Sequence, residues 1–332
     1  MNIAEVAKRA GVSRATVSRV LSGYPHVSAA VRDRVLQVIQ QAQYSPSPIA
    51  QGLARGKIRS VGMIVPDIRN PFYAELARGA GDAAAQSQYS TLIGNTDESL
   101  PREMSLVHSM LAHAVAGLIL VSADPDAMFG KMSGEPDGVP TVFAVRDPEN
   151  ALADMVTFDN LRGASLATEY LVRLGHRRIA FLGGLASSPA CRRRQAGFER
   201  AIARAGSDIL FSAQYEGDLT YEAGYAFGRD VPANHITAVF AANDLMALGV
   251  IDGVTRRGWR VPADLSVVGF DDSVVSAMPG IRLTTIRQPA YEMGVAAMER
   301  IIAKNTTNAS LPPLRLCYPP ELVQRSTADR LE

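Results

Sequence analysis

The chain has 332 residues, 20% of them charged and 47% hydrophobic, which gives room for about two or three globular units. Its 34 basic and 33 acidic side chains nearly cancel overall, yet residues 1–60 hold nine basic and two acidic ones and the rest of the chain holds 25 and 31. A basic head on an acidic body predicts a polyanion partner for the head and a separate task for the body. No apolar run approaches the ~20 residues of a membrane span, and Met1-Asn-Ile-Ala-Glu-Val lacks the character of a secretory signal. The two cysteines, Cys191 and Cys317, cannot make a disulfide framework or a cysteine-rich metal site. The expectation is a soluble cytoplasmic protein, in which the glycosylation patterns at Asn305 and Asn308 carry no meaning.

Ile3, Val6, Ala7 and Ala10 fall at i, i+3, i+4 and i+7, the stripe of a short amphipathic helix that Gly11 stops. Ser13 stands where it can cap a second helix with Val17, Val20 and Leu21 facing inward, and Gly23-Tyr24-Pro25 ends that helix. Ser28 is placed to cap a third, with Val31, Val35, Val38, Ile39 and Ala42 on its apolar side. Two short helices about a Gly-containing turn, braced by a third, make the helix-turn-helix pattern. Ser13, Arg14, Thr16, Ser18 and Arg19 lie on the outward face at the start of the second helix, where they can reach major-groove edges. An Arg placed there can grip guanine O6 and N7 together. The competing reading is an ordinary helical hairpin with a solvated face, against which the local positive charge counts.

Next comes Tyr44-Ser-Pro-Ser-Pro-Ile-Ala-Gln-Gly-Leu-Ala-Arg-Gly, in which Ser47 suits an N-cap, Pro48 the first helical position and Gly56 the stop. A helix shorter than about 12 residues is marginal alone in water. The segment is therefore either a proline-rich linker or a helix that orders only when Ile49, Ala50 and Leu53 find a surface.

Ile3-Ala-Glu-Val-Ala-Lys-Arg-Ala-Gly-Val-Ser-Arg-Ala-Thr-Val-Ser-Arg-Val-Leu-Ser, Val27-Ser, Tyr44-Ser-Pro-Ser and Ala50-Gln-Gly-Leu-Ala together resemble the head and hinge of the lac/gal repressor family of bacterial transcriptional regulators. The resemblance implies that Arg14, Ala15 and Arg19 occupy base-reading positions, that Thr16, Ser18 and Ser28 hold phosphates, and that Leu53 wedges into the central minor-groove step of a palindrome. Ser13 and Ala50 complete the implied DNA-contacting set. Two departures stand out. Ala15 has no side-chain hydrogen bond to offer, so part of the readout is missing or moves to Arg14, and Gly52 weakens a hinge helix by ~1 kcal/mol relative to Ala.

From residue 60 short β-rich runs alternate with helical stretches. Strands are expected at Val61–Val65, Thr91–Ile93, Gly117–Val121, Thr141–Val145, Val156–Phe158, Ile179–Leu182, Ala238–Phe240, Ser266–Gly269 and Leu283–Ile286. Helical stretches such as Tyr73–Gln86, Arg162–Leu174, Arg194–Ala205, Leu245–Arg256 and Tyr291–Ala303 lie between them. This predicts an α/β core of two doubly wound parallel-sheet lobes behind a small all-α head. Asp67, Asn70, Asn95, Ser122, Asn243 and Asp271 follow strands directly, where open α/β sheets line a ligand crevice.

The resemblance continues through Asn70-Pro-Phe-Tyr-Ala-Glu, Gly175-His-Arg-Arg-Ile-Ala, Arg194-Gln-Ala-Gly-Phe, Ala242-Asn-Asp, Val268-Gly-Phe-Asp-Asp and Leu283-Thr-Thr-Ile. It implies a periplasmic-binding-protein-like core whose chain crosses between the lobes near Asn160, Gln288 and Tyr318. The expected divisions are a head at 1–44, a hinge at 45–57, a core at 58–325 and a tail at 326–332. Within the core, one lobe takes about 58–159 and 289–317 and the other about 160–288.

By the same resemblance Phe72 and Tyr73 flank the ligand while Arg194, Asn243 and Asp271 hydrogen-bond it, a set suited to hydroxyl-rich rings. Singly, each has a plainer role: core packing for the aromatics, a surface ion pair for Arg194, a helix cap for Asp271-Asp272. Ser188 and Ala190 disfavour a purine, Leu219 stands where some sugar-responsive members carry an aromatic, and Arg146, near the cleft, points toward an acidic sugar such as a gluconate.

Enzymatic constellations are absent from the sequence. Gly79-Ala-Gly-Asp-Ala-Ala matches a loose dinucleotide fingerprint but lies inside a helical pattern, and the five histidines read as structural or exposed. The expectation is a homodimeric, sequence-specific DNA-binding regulator, most simply a repressor, with no metal and no cofactor beyond a small sugar or sugar-acid effector. It would act in the cytoplasm, on the nucleoid when bound to a palindromic operator. The alternative is a sugar-binding transport-type protein without enzymatic activity. No leucine heptad follows Leu322, so a dimer is expected in preference to a tetramer.

Overall fold

The computed structural model describes residues 2–21, 24–42, 59–132, 138–149, 151–232, 236–307 and 311–331. Among the described residues the head holds three helices, α1 (Ile3–Ala10), α2 (Arg14–Leu21) and α3 (Ala29–Gln41). Asn2 starts α1 with a capping box: its Oδ1 accepts from the Ala4 and Glu5 amides while Glu5 accepts from the Asn2 amide. Gly11, at φ +64, ends α1 in the left-handed conformation that glycine adopts without penalty. Ser13 caps α2 by accepting from the Thr16 amide at 3.1 Å. Ser28 stands before α3, but its hydroxyl makes no capping bond, contrary to expectation. Its carbonyl instead accepts from the Val31 and Arg32 amides. Val6, Ala7, Ala10, Val17, Val20 and Val35 form the core of the head, with Ile3, Leu21, Val31, Val38 and Ile39 around them. The expected hinge at 45–57, including Ala50 and Leu53, lies outside the described residues.

The body holds two six-stranded sheets. The first contains β1 (Ser60–Val65), β2 (Ser90–Asn95), β3 (Gly117–Leu120), β4 (Thr141–Ala144), β5 (Asp154–Phe158) and β11 (Arg315–Tyr318) in the order β11-β5-β4-β3-β1-β2, all parallel. The second contains β6 (Arg178–Leu182), β7 (Phe211–Tyr215), β8 (Ala238–Ala241), β9 (Ser266–Asp271), β10 (Thr284–Arg287) and β12 (Glu321–Val323) in the order β12-β10-β9-β8-β6-β7. Only β12 runs antiparallel. β3, β5, β8 and β9 are buried end to end, as strands covered on both faces must be. The first lobe carries α4 (Pro71–Gln86), α5 (Leu100–Ala112), α6 (Pro125–Met132) and α11 (Ala290–Thr306). The second carries α7 (Asn160–Arg173), α8 (Pro189–Ala205), α9 (Tyr221–Asp230) and α10 (Asp244–Thr255). The chain changes lobe between β5 and α7, between β10 and α11, and between β11 and β12.

The C-terminal stretch is not a tail. Thr327 Oγ1 donates to the Val267 carbonyl (2.7 Å) and accepts from the Thr284 amide (2.9 Å), and the Val267 amide donates to the Thr327 carbonyl. Buried His176 bonds Thr237 through Nδ1 and the Asp329 carbonyl through Nε2. Residues 321–331 therefore belong to the second lobe, because the backbone at the end of the chain meets polar groups that β9 and β10 would otherwise leave unpaired.

Gly79 has a purely structural task. A Cβ there would lie 2.0 Å from the Tyr291 carbonyl oxygen, and one on Gly294 would lie 2.0 Å from that of Leu76. The dinucleotide-like pattern is a seam where α4 and α11 cross backbone to backbone.

Candidate functional site

Phe72, Tyr73, Arg146, Arg194, Leu219, Asn243 and Asp271, the residues expected to meet a ligand, all line one cavity between the lobes. It measures about 20 Å³, room for about one water. Outside it, between Asp67, Glu98, Leu185 and Asp218, the cleft widens into a mouth of about 250 Å³. A sugar-sized molecule thus requires the lobes or the lining to move apart.

Each lining residue is placed by an element end. Asn70 caps α4, accepting from the Phe72 amide at 3.0 Å, and Pro71 takes the first turn. Phe72 and Tyr73 then meet edge to face at 5.2 Å, both buried, so they serve the core and the cavity wall at once. Arg194, on α8, donates from Nε to Asn160 Oδ1 (2.8 Å) and from Nη1 to the Ala242 carbonyl, and its guanidinium lies 3.9 Å from the centre of the Phe270 ring. The surface ion pair that was its plainer alternative is not what it makes. Asn243 caps α10 through Oδ1 and holds the Leu219 carbonyl through Nδ2, so at most one amide hydrogen remains for a ligand.

Asp271 and Asp272 separate into two roles. Asp271 lines the cavity, and Gln288 Nε2 donates to its Oδ1 at 2.7 Å. Burial, reinforced by the neighbouring charge of Asp244, raises its pKa above the ordinary carboxylate range. Burial raises the pKa of Asp244 as well, although it accepts from Thr285 Oγ1 and from the amide and hydroxyl of Ser273, donors that oppose that rise by favouring its charged form. Asp272 instead pairs with Arg287 and Arg325 and anchors the end of the chain.

Asn70, which the strand-end rule placed at the crevice, and Ser188, read as a position against a purine, line the cavity too, and Gln288 joins them without having been expected there. Ser188 Oγ and Gln288 Oε1 are buried with no hydrogen-bond partner, which marks them as polar groups aimed at something the protein does not supply. Gln288 follows β10 directly, so the rule that picked out Asn243 and Asp271 reaches it as well. Asp97, Glu98, Val145, Leu219 and Asp271 all have positive φ without being glycine. Such strained backbone concentrates at functional sites.

In the head, Ser13, Arg14, Ala15, Arg19 and Ser28 are exposed and Thr16 and Ser18 half-buried, while Val17 and Val20 face the core. Ser13 and Thr16 share a 2.9 Å hydroxyl contact, so Ser13 divides its hydroxyl between cap and surface. Arg19 lies 6.0 Å from the Tyr24 ring.

Residues 2–47 match the model of "Bacterial regulatory proteins, lacI family", and residues 168–328 match a periplasmic binding protein-like domain. Catabolite control protein A of Priestia megaterium is 36% identical over 321 residues, covering 95% of this chain and 96% of that one. The chain belongs to the lacI family. The ribose operon repressor of Escherichia coli K12 is 32% identical over 326 residues, covering 98% of each chain. The lac repressor dimer bound to operator and the anti-inducer ONPF superposes with a TM-score of 0.84 at 30% identity, covering 99% of each chain. This lacI-family member is accordingly a DNA-binding transcriptional regulator and not an enzyme. The transport-type alternative leaves the head unexplained. Among the described residues no helix is long and apolar enough to cross a membrane, and no three His, Cys, Asp or Glu side chains gather around a metal-sized site.

Proposed function

We propose that the chain is a homodimeric repressor that binds a palindromic operator in the cytoplasm and is controlled by a small polyhydroxylated effector, a sugar or sugar acid, held between its lobes. The observation that carries this reading is the convergence of Phe72, Tyr73, Arg194, Asn243 and Asp271 on one interlobe cavity, with the unpartnered Ser188 Oγ and Gln288 Oε1 beside them. The solved regulator CelR–cellobiose complex, similar over 98% of this chain with a TM-score of 0.71, supports a saccharide ligand on this architecture. Ser13, Arg14, Ala15, Thr16, Ser18, Arg19 and Ser28 would meet the major groove and its phosphates, with Ala50 and Leu53 of the hinge in the minor groove between half-sites.

The effector acts by its differential affinity for two lobe arrangements, typically ~1–3 kcal/mol, and a marginal hinge turns such a shift into a change of DNA affinity. Sequencing the genomic fragments captured by the purified full-length protein, with and without pooled sugars and sugar acids, tests this. A recurrent palindrome is the expected result; no enrichment under either condition overturns it. Replacing Leu53 by Ala should weaken operator binding at least tenfold, on the scale of ~1.4 kcal/mol per decade, and leave effector binding unchanged in calorimetry. Unchanged operator affinity would remove Leu53 from the interface.

A further inference from the structure

Arg146 follows Val145, whose φ is +67, and its guanidinium is almost fully buried in the wall of the inner cavity. Its two terminal nitrogens each donate to one oxygen of Glu98 at 2.6 Å, and Nη1 also reaches the Ser122 carbonyl at 3.2 Å. Glu98 comes from the loop after β2, where Asp97 and Glu98 both hold left-handed backbone, at φ +50 and +58. Its side chain is 25% exposed and lines the mouth of the cleft, while Arg146 lines the inner cavity. The carboxylate therefore stands between the two spaces, with Arg146 on one side and a mouth of about 250 Å³ on the other.

A planar fork on a buried arginine is how proteins recognise carboxylate ligands, and here the chain itself supplies the carboxylate. The surrounding charges agree. Arg194 is the other guanidinium of the lining, and its hydrogen bonds go to neutral acceptors. Asp271 is the acid of the lining, and burial disfavours its charged form. The first turns of α4 and α8 also begin in the lining, bringing the positive ends of two helix dipoles to it. At the mouth, Asp67 is paired with Arg69 and Asp97 with Arg102, so those carboxylates are already matched. Without Glu98, Arg146 would keep only the Ser122 carbonyl and the electrostatic influence of buried Glu103, whose charged form burial disfavours.

We infer that Glu98 is an internal stand-in for the acidic group of the effector: a sugar acid puts its carboxylate on Arg146, and Glu98 swings into the mouth. This rests on the interlobe cavity being the effector site. A neutral sugar has nothing to exchange for the Glu98 carboxylate and gains no comparable contact. The state with Glu98 on Arg146 is closed to the acid, so it lowers the apparent affinity by the fraction of molecules that occupy it.

The test is calorimetric titration of the full-length protein with D-gluconate, D-glucuronate and D-galacturonate against sorbitol, D-glucose and D-galactose, at ionic strength matched with sodium chloride. The wild type should bind one of the acids at least tenfold more tightly than its neutral counterpart. Glu98→Gln, which keeps the shape and removes the charge, should tighten that acid by about tenfold and leave the neutral sugar unchanged. Arg146→Met should erase the preference; should it fail to fold, Glu98→Gln alone decides. A neutral sugar bound as well as its acid, an affinity for the acid unmoved or weakened in Glu98→Gln, or no acid bound by either protein would each overturn the inference. Operator capture by the same wild-type protein reports on the regulator assignment separately, so a neutral effector that alters operator binding would sink the stand-in while leaving the proposed function in place.

Discussion

Asp271 shows what burial does to a single side chain. The residue is 5% exposed and sits beside the charge of Asp244, so the folded protein holds its proton more tightly than the unfolded chain does. A group with a raised folded-state pKa contributes its full stability at low pH and loses it as pH rises through that pKa. The melting temperature of the wild type should accordingly fall relative to that of Asp271→Asn as pH is raised from about 4 to about 8. Scanning fluorimetry on both proteins checks this; His176 is common to both, and because Asp244 and Asp271 interact, the difference reports the titration of that pair. Parallel curves would show that Asp271 stays charged in the fold. The position of Asp271 at the cleft was legible, since Val268-Gly-Phe-Asp-Asp ends a strand. That Asp272 beside it belongs to a different network was not, because its partner Arg325 lies 53 residues away.

Among the elements, those with a periodic stripe and a cap were readable, and three of the four edge strands were not. β7, β11 and β12 were missed because an edge strand buries one face at most and need not be apolar; Phe211-Ser-Ala-Gln-Tyr alternates half-buried and exposed positions. α9 reads Tyr-Glu-Ala-Gly-Tyr-Ala-Phe-Gly, with two glycines that weaken a helical pattern. Those glycines are contact points: a Cβ on Gly224 would lie 2.1 Å from the Met246 carbonyl oxygen of α10. Helix α4 offers a controlled comparison on the same principle. A Cβ at Gly81 meets nothing within 4 Å, whereas one at Gly79 lies 2.0 Å from backbone. Gly81→Ala should therefore stabilise the protein by up to about 1 kcal/mol. Gly79→Ala should destabilise it by about 1–3 kcal/mol or more. Urea denaturation of the two variants separates these signs, and equal effects would remove the close crossing.

Across the whole molecule, the two lobes are held by charge as well as by the shared core. Asp147, in the first lobe, takes both terminal nitrogens of Arg193 on α8, at 2.5 and 3.1 Å, and Glu149 lies 3.9 Å from Arg192. These pairs bridge the cleft three residues or fewer from the cavity-lining Arg146 and Arg194. They favour the closed arrangement, and Arg193→Leu should shift the population toward an open one. Small-angle scattering of the effector-free protein should then give a larger radius of gyration than the wild type. An unchanged scattering curve would show that packing alone sets the lobe angle.

The sequence by itself determined the class of each part: the basic head, the stripes and the Ser13 cap of its helices, the alternation that makes two parallel-sheet lobes, and the polar residues at strand ends that meet in the cleft. These features are written between near neighbours, where helix period, strand burial and cap chemistry operate, and the family motifs follow the same local grammar. The tertiary structure alone decided what depends on distant partners. Glu98 meets Arg146 across 48 residues and Thr327 reaches Val267 across 60, contacts that no local pattern encodes. The positive φ values at Glu98, Val145 and Leu219 arise the same way, because the surrounding packing imposes a backbone conformation that those side chains do not favour on their own.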